Sequence, residues 1–259
     1  MAAFTVEFLG TGTSQGVPVI QCKCPVCLSD DPRDNRLRCS IAISTGEKSL
    51  VVDVGPDFRQ QMLRTDYPTV DSVLITHEHN DHVAGMDDLR PYNFIKNADI
   101  PVKAMKRVGD ELKQRYYYAF MEQKYPGAPS YDLQTIEHGD EWEWEGIKIT
   151  AFEIMHGSLP ILGFRFDDFV YITDAKVIPE KSMKYLKNID CLVLNALRDQ
   201  EHWSHLTLSE ARELAFELNP KRAYFTHVSH LLGKHESIEK KLWENQKFAF
   251  DGLKLSFGK

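Results

Sequence analysis

The sequence predicts an α/β chain with mixed sheets, and three observations carry that reading. Short apolar runs of strand type interleave with helix-periodic segments along the whole chain. The 259 residues suffice to bury a substantial core without disulfides. No low-complexity linker and no repeat with a period of about 20–50 residues breaks the pattern, so one domain spanning 1–259 is expected.

Nine strands are expected in order: "FTVEFLG", "CSIAIST", "SLVVDVG", "SVLITH", "IKITAFEIM", "LGFRF", "FVYITD", "CLVLNAL" and "AYFTHV". Between the fourth and fifth, "VGDELKQRYYYAFM" places Val108, Leu112, Tyr116 and Phe120 on one helical stripe, read as core packing. "KYPGAPSYD", rich in proline and glycine, is expected as a surface loop between the two halves. "TLSEARELAFELNP" opens with the capping-box pair Thr207 and Glu210 and closes before Pro220. "ESIEKKLWEN" reads as a last helix near the C-terminus.

Composition narrows the function classes. Net charge is −7 and no block of lysine or arginine occurs, which argues against tight binding to long nucleic acid. Mean hydropathy is −0.37, no apolar run has the length of a membrane span, and the N-terminus does not read as a signal peptide. Five cysteines, three of them clustered, fit reduced thiols and a cytoplasmic setting.

The histidines carry the chemistry. "THEHNDH" follows a solid apolar strand, so the strand delivers these donors to a loop at its C-terminal edge. His77 and His79 share a face in extended backbone, while Asp81 and His82 turn toward a second position. Imidazole and carboxylate together suit zinc, manganese or iron. Glu78 and Asn80 should face away. His156, Asp174 and His227 each close an expected strand, which suggests a common rim.

These residues, in this order, resemble the metallo-β-lactamase superfamily. The resemblance implies an αββα sandwich of two mixed sheets flanked by helices, with two divalent metal ions at one edge. His77, His79 and His156 would then bind one ion; Asp81, His82 and His227 would bind the other, with Asp174 between them. Asp53 matches the superfamily's early aspartate and would orient a ligand histidine. The competing reading makes it an acidic turn residue before "GPDF".

"IQCKCPVCLSD" places Cys22, Cys24 and Cys27 within six positions, but a tetrahedral site needs a fourth donor. His230, three residues beyond His227, can face away from the rim and close a structural zinc site with them. This zinc clip, in a loop at about 20–35, would tie the N-terminal segment to the last histidine motif. A transient disulfide would leave one thiol unpaired; simple buried thiols are the other alternative. Cys39 and Cys191, in apolar strands, read as core residues. The glycines of "LGTGTSQG" lack the ending of a phosphate-binding loop, so a tight turn suffices.

The "GTGTSQGVP" opening, the cysteine spacing and the H-x-x-H pair are similar to PhnP-type phosphodiesterases. That resemblance implies a hydrolase of small phosphodiesters, cyclic phosphates among them, in which metal-activated hydroxide attacks phosphorus. Asp81 would serve both as ligand and in catalysis. His205, just before the capped helix, would assist the leaving oxygen, with His202 as the rival. His138 and His235 have no role and are expected at the solvated surface. Ribonuclease Z-like processing of transfer RNA, another hydrolase chemistry of the fold, and a non-catalytic PqqB-like protein are the alternatives. A homodimer is a family-level expectation only.

Overall fold

The computed structural model describes residues 2–258. Two sheets of seven strands each form the centre of the molecule. The first holds β1 (Phe4–Gly10), β2 (Ser40–Ser44), β3 (Ser49–Val52), β4 (Ser72–Leu74), β5 (Ile100–Ala104), β6 (Tyr131–Thr135) and the C-terminal β14 (Lys254–Phe257). The second holds β7 (Glu141–Trp144), β8 (Ile147–His156), β9 (Leu159–Phe166), β10 (Phe169–Tyr171), β11 (Cys191–Asn195), β12 (Arg222–Thr226) and β13 (Gln246–Phe248). Their orders are 14-1-2-3-4-5-6 and 13-12-11-10-9-8-7. Both sheets are mixed: β1 to β3 pair antiparallel and β3 to β6 parallel, and likewise β7 to β10 and then β10 to β13.

The layering follows from strands that are apolar on both faces. In β2, Ile41 and Ile43 point into the core between the sheets, where they meet Phe164, Phe166 and Tyr171. Ala42 between them points outward, to a second core shared with Phe58, Val108 and Leu112 of the flanking helices. The second sheet repeats the arrangement. Phe152, Leu192, Leu194 and Phe225 pack outward against Leu208, Ala211 and Ala215 of the helix Leu208–Leu218. This is the expected αββα sandwich of two mixed sheets.

All nine expected strands form; β5, β6, β7, β13 and β14 were not anticipated. Four of those five lie at sheet edges and carry exposed or half-exposed side chains, as in "EWEW" of β7. They therefore lack the solid apolar run that marks a central strand. The helix expected through Phe120 is shorter. It runs Lys106–Arg115, buries Val108 and Leu112, and ends at Tyr116, whose hydroxyl donates to the Val83 carbonyl at 2.8 Å. The last helix also shortens, to His235–Glu239, where Trp243 instead packs on Phe216 and Arg212. The proline-rich loop precedes β6, so the passage between sheets comes later, between Thr135 and Glu141. Among the described residues, no helix is long and apolar enough to cross a membrane.

Candidate metal centre

Five strands of the two sheets end at one edge, and their last or following residues supply the site. Asp53 follows β3, the "THEHNDH" segment follows β4, His156 ends β8, Asp174 follows β10 and His227 follows β12. Asp53, Asp174 and His227 have φ of 64°, 59° and 56°, the left-handed region that costs a non-glycine residue of order 1–3 kcal/mol. Such strain at three strand ends aims the side chains together rather than along their strands. Asn195 holds the second of these turns, accepting from the Ala175 N–H at 2.7 Å and donating to the Ala175 carbonyl at 3.0 Å.

The seven expected ligands come together. His77, His79 and His156 form one set whose donor atoms lie within 4.8 Å of one another. Asp81, Asp174 and His227 form a second, and His77, His82 and Asp174 a third. Asp174 therefore reaches both ends of the cluster, as an aspartate between two ions must. His79 and Asp81 straddle the first turn of the short helix Asn80–Val83, which turns Asp81 and His82 inward. Glu78 pairs with Arg107, and Asn80 accepts from Arg115 at 2.7 Å, so both face away as expected.

The donor set fits divalent cations on one further observation. His82 Nε2 is buried with no hydrogen-bond partner, although Asp81 Oδ2 stands 3.2 Å away and Asp174 Oδ1 3.5 Å away. A buried, unpaired imidazole nitrogen flanked by two carboxylates is costly without a cation to share. The other nitrogen, Nδ1, contacts Asp53 Oδ2 at 2.7 Å. Asp53 is fully buried and also accepts from the Thr76 N–H at 2.8 Å. It thus fixes the ring with Nε2 pointing inward, the geometry expected of a carboxylate that orients a ligand histidine.

Electrostatics agree. Burial would raise the Asp174 carboxyl, but His227 and His82 beside it hold it well below the ordinary range. Burial opposes protonation of His227, yet the Asp174 carboxylate 2.9 Å away carries it up to about 10. Burial drives His77 well below its ordinary value. Charge thus gathers on the buried Asp174 and His227, while His79 lies exposed at the rim of the cluster.

His205 is buried at the same edge, with Nε2 3.1 Å from Asp174 Oδ2 and burial pushing it down to about 4. Its rival His202 is only half-buried and stands behind it, 3.1 Å from His205 Nδ1. The same loop holds His156, whose Nδ1 donates to the Ser204 carbonyl at 2.9 Å. Thr13, 3.1 Å from His227 Nε2, was not anticipated; a lone threonine far upstream gives no signal.

Cys22, Cys24 and Cys27 each place Sγ 3.4 Å from His230 Nδ1. A zinc tetrahedron with bonds of about 2.3 Å to sulfur and 2.0 Å to nitrogen has sulfur–nitrogen edges of roughly 3.5 Å. The four donors fit that ion, and none of the five cysteines is in a disulfide. Burial opposes ionisation of Cys24, but the Cys27 N–H and His230 bring its thiol down to about 6. The glycine turn upstream serves close backbone approach. Gly12 bridges to both Arg38 and Val228, and a Cβ there would stand 2.7 Å from the Arg36 carbonyl. Cys39 and Cys191 are buried, as expected.

A further expectation fails. His235 is not at the surface; it is buried, with Nδ1 2.9 Å from Arg36 Nη2 and Nε2 3.1 Å from Glu239. A buried arginine from the N-terminal segment needs partners there, which a sequence does not announce. His138 is half-buried and accepts from the Glu153 N–H at 3.1 Å.

Residues 48–228 match the family described as the beta-lactamase superfamily domain. The octanoyltransferase of Porphyromonas gingivalis is 36% identical over 247 residues, 95% of this chain but 50% of that protein. The chain thus spans about half the length of that curated relative. Among solved structures, a diphosphatase from the PhnP family superposes with a TM-score of 0.91 at 38% identity, covering 98% of this chain and 97% of the other. Zinc-bound PqqB from Methylobacterium extorquens superposes with a TM-score of 0.79 at 21% identity, covering 97% and 99%.

Proposed function

From the premise that this chain belongs to the metallo-β-lactamase superfamily and is PhnP-like, we propose that it is a two-metal hydrolase of small phosphodiesters. Cyclic phosphates and diphosphate-linked esters are its substrate class. The observation that carries the reading is the shared position of Asp174 between the histidine set and the Asp81–His227 set, beside a buried and unpaired His82 Nε2.

His77, His79 and His156 would hold one divalent ion and Asp81, His82 and His227 the other, with Asp174 serving both. Zinc, manganese and iron suit these donors. Such a pair, when bound, lowers the pKa of water and offsets charge on phosphoryl oxygens. The chain does the rest. Asp53 orients His82, and the Ser204 carbonyl orients His156. His205 is neutral at pH 7 because it is buried, so it presents an N–H rather than a cation. Its Nε2 stands 3.1 Å from Asp174 Oδ2, beside the cluster, and would donate a hydrogen bond to the leaving ester oxygen of a substrate bound there. Thr207 caps the following helix through the Glu210 N–H and anchors the loop that aims His205.

Cys22, Cys24, Cys27 and His230 would hold a structural zinc, with all four positions taken by protein. Support for phosphodiesters over lactams or thioesters comes from the PhnP-family diphosphatase, which matches nearly the whole chain. The test is a panel assayed on metal-replete protein: 2′,3′-cyclic nucleotides, cyclic ribose phosphates, diphosphate-linked dinucleotides, a bis-aryl phosphate, a lactam and a thioester. Turnover of the phosphate compounds is expected. Turnover confined to the lactam or thioester would refute the proposal.

A further inference from the structure

Resting on that reading of the site, we propose that Trp203 is a stacking platform for the planar base of a nucleotide-type substrate. The indole is 71% exposed, although it belongs to the same short loop that positions His156 and His205. Its ring centroid lies 6.3 Å from that of His156, with 27° between the planes, and 6.4 Å from that of His202, with 28°. The six-membered part of the indole is packed against Gly157, in the turn between β8 and β9. A Cβ at that glycine would stand 2.2 Å from Trp203 Cζ3, and its φ is +60°. The missing Cβ therefore leaves room for the indole, and the large remaining exposure leaves ring surface open to solvent.

A large apolar ring left wet beside a polar cluster is suited to a planar partner. The spacing selects the partner. His156 joins Trp203 to the cluster, its ring 4.6 Å from that of His205, whose Nε2 is 3.1 Å from Asp174. With Trp203 6.3 Å from the His156 ring, a phosphate ester held among the histidines has the exposed indole as its neighbour. Nucleotides join base and phosphate through a ribose. Stacking on an aromatic face does not distinguish among bases, so the platform selects for the presence of a base rather than its identity.

The experiment compares base-bearing with base-free compounds on metal-replete wild type, Trp203→Ala and Trp203→Phe. Direct binding of adenosine 5′-monophosphate and ribose 5-phosphate is measured by calorimetry, and kcat/KM is measured for 2′,3′-cyclic AMP and a cyclic ribose phosphate. Stacking of this kind predicts that Trp203→Ala weakens the adenosine compound about 5- to 100-fold relative to the ribose compound. The loss should appear in KM, and Trp203→Phe should restore part of it. If both compounds lose affinity equally, or neither does, the platform is refuted while phosphodiester turnover stands. If no phosphate ester is turned over but the adenosine selectivity persists, the hydrolase reading fails and the platform survives.

Discussion

Replacing Cys24 with serine tests what holds the N-terminal loop. The segment has almost no core of its own: Val26 is buried, but Ile20 and Leu28 are 87% and 65% exposed. Its attachment to His230 therefore falls to the four donors. Cys24 and His230 are 206 positions apart, and a cross-link closing a loop of that length removes about 5 kcal/mol of unfolded-chain entropy. At about 2–4 °C per kcal/mol for a chain of this size, Cys24→Ser should lower Tm by roughly 10–20 °C. The variant should also lose about one zinc per chain, while metal at the His77–His227 edge remains. The assay pairs elemental analysis with calorimetric melting of the metal-loaded protein, with His230→Ala as a second variant. Unchanged zinc in both variants, or a Tm within about 2 °C of wild type, would show that these residues are not joined through an ion.

Three other outcomes follow from the geometry. His205→Ala should keep the edge metals by elemental analysis and lose about 10²- to 10⁴-fold in kcat on a phosphodiester; unchanged kcat would remove it from the chemistry. Asp53→Ala frees the His82 ring and should weaken metal affinity about 10- to 100-fold in a chelator titration, and an unaltered titration would count against it. Asp251, whose side chain is 7% exposed where it accepts from Thr11 of the glycine turn, is pushed up to about 6 by that burial, against an ordinary carboxylate value of about 3.9. The folded chain thus binds this proton more tightly than the unfolded chain. Its contribution favours folding fully below about pH 4 and is lost as pH rises through about 6, a swing of about 3 kcal/mol. Urea denaturation at pH 4.5 and 6.5 should show that slope in wild type and a flatter one in Asp251→Asn; equal slopes would exclude Asp251 as its source.

What the sequence determined by itself was whatever local chemistry writes. Central strands such as "SLVVDVG" and "CLVLNAL" are apolar on both faces because both faces are covered, so they stand out without a partner. "THEHNDH" concentrates donors within one short segment, and the Thr207–Glu210 box lies within a single helical turn. Tertiary structure decided the remainder, because those features depend on neighbours distant in the chain. The edge strands β6, β7 and β14 are half-exposed, β13 is only three residues long, and all four pair with one neighbour. Asp53 reads nearly as well as a turn residue in the sequence, and only the fold sets it 2.7 Å from His82. His235 read as a surface residue until Arg36 was buried against it from 199 positions away. A donor's identity is local, but its surroundings, and hence whether it is charged, paired or aimed, are made by the packing of strands that meet only in three dimensions.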